Sequence, residues 1–182
     1  MLKIQIPAAE LYDPSTETFI NVKKQTLTLE HSLLSISKWE SKWHKPFISK
    51  EQKTLEETRD YVRCMTLSQH DVDPLVYQYL PASVYEEIEK YTNEPMTATW
   101  FSDDKRPKRP SREVITAEII YYWMVTLGIP FECQKWHLNR LLTLIRVCNE
   151  KNAPAKKMSQ RELMARNRSL NAQRRQARHT RG

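Results

Sequence analysis

The chain opens on an alternation. Leu2, Ile4 and Ile6 are set against Lys3 and Gln5, the period of a half-buried strand. The turn signal Asp13-Pro14-Ser15-Thr16 comes next, and residues 19–22 can return as a second strand that 25–29 could extend. The pattern therefore predicts an N-terminal β-hairpin. A period near 3.6 then takes over. Leu29, Leu33, Ile36, Trp39 and Trp43 fall on one face of a helix over 29–43, which Pro46 stops.

Three capping boxes punctuate the rest of the chain. Thr54-Leu55-Glu56-Glu57 opens a helix to about residue 67, with Leu55, Tyr61 or Val62, and Met65 inward. Asp73-Pro74 begins a helical turn over 75–80. Ser83-Val84-Tyr85-Glu86 opens a helix to about 92, with Val84, Ile88 and Tyr91 inward. Ser159-Gln160-Arg161-Glu162 opens a last helix over 159–176, where Met158 can staple onto Leu163. Between them, 96–101 reads as a strand or extended piece, and 102–111 (SDDKRPKRPS) as a polar, exposed loop.

The longest strongly apolar stretch is 114–148, VITAEIIYYWMVTLGIPFECQKWHLNRLLTLIRVC. Gly128 can end a helix in the left-handed conformation, and Pro130 suits the first turn of a new one. The stretch predicts a buried α-hairpin of helices 113–127 and 131–149, acting as the scaffold. The expected fold class is mainly α: one helical domain with an N-terminal β-hairpin, a central α-hairpin at about 113–149 and a basic C-terminal helix. The expected organisation is a hairpin arm at 1–28, a helical core at 29–150 and a basic arm at 151–182.

Composition narrows the chemistry. The 182 residues include two glycines, against a usual share of about 7%, which disfavours glycine-rich phosphate loops and many-turned β folds. The net charge of +7 is uneven. Residues 1–150 hold 19 basic and 21 acidic groups, whereas 151–182 hold 10 basic and one acidic. The basic character is that of the tail, which points to an acidic partner. No signal peptide is visible, no run reaches the roughly 18 apolar residues of a membrane span, and Cys64, Cys133 and Cys148 read as free thiols in a reducing cytoplasm.

No catalytic motif stands out. Cys133 and His137 share a helical i, i+4 spacing, but no second ligand pair completes a tetrahedral site, so no metal or cofactor is expected. Cys64 with His70 is a generic thiol and base. The pairs Asp71/Asp73, Asp103/Asp104 and Glu86/Glu87 read as turn, loop and helix start. Four tryptophans, Trp39, Trp43, Trp123 and Trp136, lie in expected core, with Trp100 the exposed one. The functional feature is the arm: Arg161, Arg166, Arg168, Arg174, Arg175, Arg178 and Arg181, with Leu163 and Met164. Arginine forks suit phosphate and carboxylate alike, and the run by itself does not separate nucleic acid from an acidic protein.

The phrases LEHSLLSISKWESKWHKPF (29–47), ITAEIIYYWMVTLGIPFECQKWHLNRLLTLIRVCN (115–149) and KKMSQRELMARNRSLNAQRR (156–175) resemble the tail assembly chaperones of long-tailed bacteriophages. The likeness is one of overall phrasing across nearly the whole chain, with no ligand motif in it. It implies a non-enzymatic, mostly helical protein of the host cytoplasm that is absent from the finished virion. The partners it implies are the tape measure protein and the tail tube protein, with self-association a further option and no membrane. Many members have a longer, frameshifted form, for which a basic end such as this one is a natural departure point. The alternative expectation is a virion-associated or nucleic-acid-binding phage protein that uses the basic arm.

Overall fold

A computed structural model of the chain describes residues 1–13, 17–68, 71–101, 114–153 and 160–178. It is mainly helical, with an N-terminal hairpin. Two compact units are present, residues 1–149 and residues 150–182. No boundary falls at residue 28, because the base of the hairpin is part of the first unit's core.

The hairpin has four short strands. β1 (Leu2–Ile6) pairs antiparallel with β4 (Gln25–Leu29), and β2 (Ala9–Asp13) with β3 (Thr18–Val22). Ile6 faces Gln25 and Ala9 faces Val22, so the register passes the gap without an inserted residue. Pro7, which has no N–H to give a ladder, lies in that gap. Ile4, Ile6, Leu27 and Leu29 are buried, while Lys3 and Gln5 face solvent. The 25–29 stretch thus pairs with the first strand, and 18–22 pairs with a strand at Ala9–Asp13 that the sequence pattern does not single out. Residues 14–16 of the expected turn lie outside the described residues.

Helix α1 (Leu33–Trp43) starts later than its apolar stripe suggests. Leu29 stays in β4 because the backbone there has other partners: Glu30 N–H donates to the Met65 carbonyl and Leu67 N–H to the Thr28 carbonyl, each at 2.9 Å. The Ser32 hydroxyl then caps the helix by accepting from Ser35 N–H. At the other end His44 turns left-handed, at φ 54°, and donates to the Glu40 carbonyl.

Helix α2 (Leu55–Met65) has the expected capping box at Thr54 and Glu57. Leu55 does not face inward and is exposed. Glu57 is the buried side chain of that first turn, followed by Asp60, Tyr61, Val62, Cys64 and Met65. A 3-10 turn at Pro74–Gln78 leads to α3 (Ala82–Asn93), which buries Val84, Ile88 and Tyr91 as expected. Its start needs no Ser83 box, since the Pro81 carbonyl takes Val84 N–H. Residues 96–101 form no strand. The 102–111 loop lies outside the described residues.

The central stretch departs most from expectation. Helix α4 (Ala117–Thr126) ends in a Schellman closure, with Ile129 N–H on the Met124 carbonyl and Gly128 at φ 65°. The next segment is a 3-10 turn, Phe131–Lys135, and α5 (Leu138–Asn152) begins only beyond it. The delay has a cause: His137 forms a β-bridge with Ser32, and Leu138 N–H donates to the His31 carbonyl at 2.7 Å. Cys133 and His137 therefore never share a helix. Nor is the stretch fully buried, for Ala117, Ile120 and Met124 are covered while Tyr122 and Val125 are exposed. The scaffold is α1, against which α2, α4 and the 131–135 turn all pack. Helix α6 (Gln160–Arg178) belongs to the second unit.

Candidate functional site

Two places are candidates for functional chemistry. The first is α6. Its 19 residues present every side chain to solvent. Arg161, Arg168 and Arg175 recur every seven residues and so form one line, with steps of about 10.5 Å. Leu163, Leu170 and Ala177 form a second line about 200° around the helix, on the opposite side. Arg166 and Arg174, four residues before and after Leu170, flank the apolar line. Arg178 closes the last turn, where the helix dipole favours a cation, and Glu162 sits in the first turn, where it favours an anion. Met164 lies between the two lines and does not extend the leucine one. Arg181, and the Ser159 and Met158 of the expected cap and staple, lie outside the described residues.

The second place is a buried polar seam in the first unit. His31 Nδ1 hydrogen-bonds the Tyr61 hydroxyl, and the His31 and His137 rings meet edge to face at 5.1 Å. His137 Nε2 lies 3.1 Å from the Tyr91 carbonyl oxygen. The Tyr91 hydroxyl donates to Glu30 Oε1 at 2.8 Å, and Glu30 Oε2 pairs with the Met1 amine at 3.0 Å. Burial, then the neighbouring His137, pushes His31 down to about 4, so it is neutral at neutral pH. Burial lowers His137 as well, against the pull of the Tyr91 carbonyl. Burial, helped by Glu30, raises Tyr91. This chemistry holds a core together with uncharged imidazoles.

Above the seam is a cleft of about 580 Å³. Its walls are Phe47, Ile48 and Lys53 from the chain between α1 and α2, Thr58 and Tyr61 of α2, Tyr85 and Ile88 of α3, and Leu138 and Asn139 of α5, with His31 also lining it. Asn139 Nδ2 donates to the Thr92 and Glu94 carbonyls and ties α5 to the end of α3.

Carboxylates knit the far side of α1. Glu40 accepts from Phe47 N–H at 2.6 Å and from Ala117 N–H at 2.7 Å. Glu57 accepts from Lys45 and the Thr54 amide, and those bonds hold it below the usual carboxylate range. Burial works to raise Asp60, but the bonds from Lys42, Arg63 and Trp43 Nε1 outweigh it and the net shift is downward. Trp39 is fully buried with its Nε1 on the Glu57 carbonyl. Trp43, Trp123 and Trp136 pack against the core half-buried, and Trp100 is 93% exposed.

Sequence reasoning places the arginine line and misses the histidine pair and Glu40. His31 and His137 are distant in the chain, and a Glu40 that caps another helix leaves no local signature. Among the described residues no group of three or more His, Cys, Asp or Glu side chains could hold a metal. Burial, then Asp60, raises the Cys64 thiol, which leaves it protonated and a poor nucleophile at neutral pH. Its candidate base, His70, lies outside the described residues. No described helix is long and apolar enough to cross a membrane. No family model, no curated protein and no solved structure matches the chain.

Proposed function

We propose that this chain is a non-enzymatic assembly chaperone of a long-tailed phage. It would hold the tape measure protein soluble in the host cytoplasm, assist tail tube assembly and stay out of the finished virion. The observation that carries this reading is α6, an amphipathic helix that buries none of its own residues. A helix of that kind draws its stability from a partner. Its apolar line, flanked by Arg166 and Arg174, suits a partner helix with an apolar seam and acidic flanks. The exposed Tyr122 and Val125 of α4 add apolar surface. The phrasing at 29–47, 115–149 and 156–175 supports the family assignment.

One observation favours a second reading, a nucleic-acid-binding phage protein: the separate line Arg161, Arg168 and Arg175. Co-expression with the tape measure protein of the same phage decides between them. The first reading expects co-purification and a larger soluble fraction, both lost in a Leu163→Ser, Leu170→Ser variant. Failure to co-purify, with no gain in solubility, sinks it. The second expects duplex DNA binding that weakens with salt at a slope near 0.9 per phosphate contact and disappears when 159–182 are removed.

A further inference from the structure

The distal half of the N-terminal hairpin is a ribbon of two strands, β2 and β3. Among the described residues no third strand pairs with either. A two-stranded ribbon is marginal in water by itself, and its two outer edges differ. β2 follows Pro7 closely and carries two acids, Glu10 and Asp13, with no basic residue. Proline and charge are what natural sheets place at an edge to keep other strands away. β3 has neither. Four of its five residues, Thr18, Phe19, Ile20 and Val22, are of the kinds that favour strands. Glu17, Phe19, Asn21 and Lys23 are exposed, Phe19 at 65%, while Val22 is buried. Glu17, left-handed at φ 52°, stands just before the strand, and Lys23 follows directly after it. Among the described residues neither is in an ion pair.

This edge is complementary to itself. With β3 antiparallel to β3 of a second copy and Ile20 opposite Ile20, residue 17 stands opposite 23, 18 opposite 22, and 19 opposite 21. Each Glu17 then faces the copy's Lys23, once at either end of the ladder. Directly opposite side chains in such a pair are about 5 Å apart at Cβ, and the stretch between the charges holds none to repel. Outward N–H and C=O groups recur every second residue, so the smallest slip that keeps the ladder is two residues. That slip moves Glu17 away from Lys23. β2 has no such match, because pairing with its own copy about Leu11 sets Ala9 opposite Asp13 and Glu10 opposite Tyr12. We propose that β3 binds β3 of a second copy, edge to edge, and joins two hairpins into one four-stranded sheet across a two-fold axis. The same patch serves both copies, so the contact closes at two, and the outer edges left are the charged β2 strands. The surface lies within residues 1–149 and stands independently of the role given to α6.

The test uses the full chain. Sedimentation velocity over a concentration series at low salt should show a monomer–dimer equilibrium. E17K and K23E each turn both cross-strand pairs into like charges and should weaken the dimer about tenfold. The E17K, K23E double variant restores opposite charges and should recover the dimer. Hydrogen exchange reads the edge: the outward amides of β3 should slow as the dimer forms, and those of β2 should not. A chain that stays monomeric overturns the proposal. So does a dimer that the single variants leave unchanged or that the double variant fails to restore, and so does slowed exchange along the outer edge of β2. If the β3 amides slow only on co-expression with the tape measure protein, the edge serves another chain and the second copy is ruled out.

Discussion

The first unit and α6 solve the problem of charge in opposite ways. In residues 1–149 a set of four acids is turned inward and matched. Glu30, Glu40, Glu57 and Asp60 are each buried, and each has donors on it. In α6 six arginines and one glutamate stand in solvent with nothing buried beneath them. A buried charge with matched donors fixes one conformation, and removing one partner is costly. An exposed cation on a helix gains little from its own neighbours and can be matched by another molecule. The contrast separates the part that makes the fold from the part that offers itself.

The strongest challenge to that contrast is Trp39→Ala. It opens a cavity at the centre of α1's packing and removes the indole N–H that the Glu57 carbonyl accepts, and should cost about 4 kcal/mol in urea unfolding. A much smaller loss would mean that α1 is not the scaffold. Acid comes next. His31 is neutral when folded, near 4 against 6.5 when unfolded, so the unfolded chain binds the extra proton. Stability from this group is complete above pH 6.5 and is lost as pH falls toward 4. The loss amounts to at most about 3 kcal/mol by linkage. Unfolding midpoints at pH 7 and pH 5 should differ, and His31→Gln should flatten part of that slope.

Glu40→Gln is smaller. It keeps one acceptor oxygen and turns an N–H toward a backbone N–H, for a loss of about 2 kcal/mol readable by thermal melting. The smallest effect should come from Leu163→Ser with Leu170→Ser. Because α6 buries nothing, the midpoint for the first unit should move by less than about 0.5 kcal/mol. A larger shift would show that α6 supports the core, and the contrast would fail.

Much of the local structure is legible in the sequence because its cause is local. The Thr54 box, the hairpin alternation, the Gly128 closure and the inward face of α3 each depend on residues a few positions apart. The start of α1 misleads because Leu29 continues the apolar period of the helix while its backbone is held by the end of α2. The central stretch misleads for a related reason. Its apolar density suggests one continuous α-hairpin, but the Ser32–His137 bridge delays α5, and α1 takes the centre. Of the candidate surface, the arginines can be read from composition. The opposed leucine line emerges only once the helix is placed, and the cleft cannot be read at all, since it gathers residues from 31 to 139.

Glu40 has one more consequence. It is the N-terminal cap of a helix that begins 77 residues later, so α4 borrows its starting point from α1. A peptide cut to residues 114–130 would carry its Gly128 stop but lack its start, and its first turn would fray in isolation. In the folded chain that turn is complete only with α1 beside it. The beginning of one helix is thus held by the end of another through a single carboxylate.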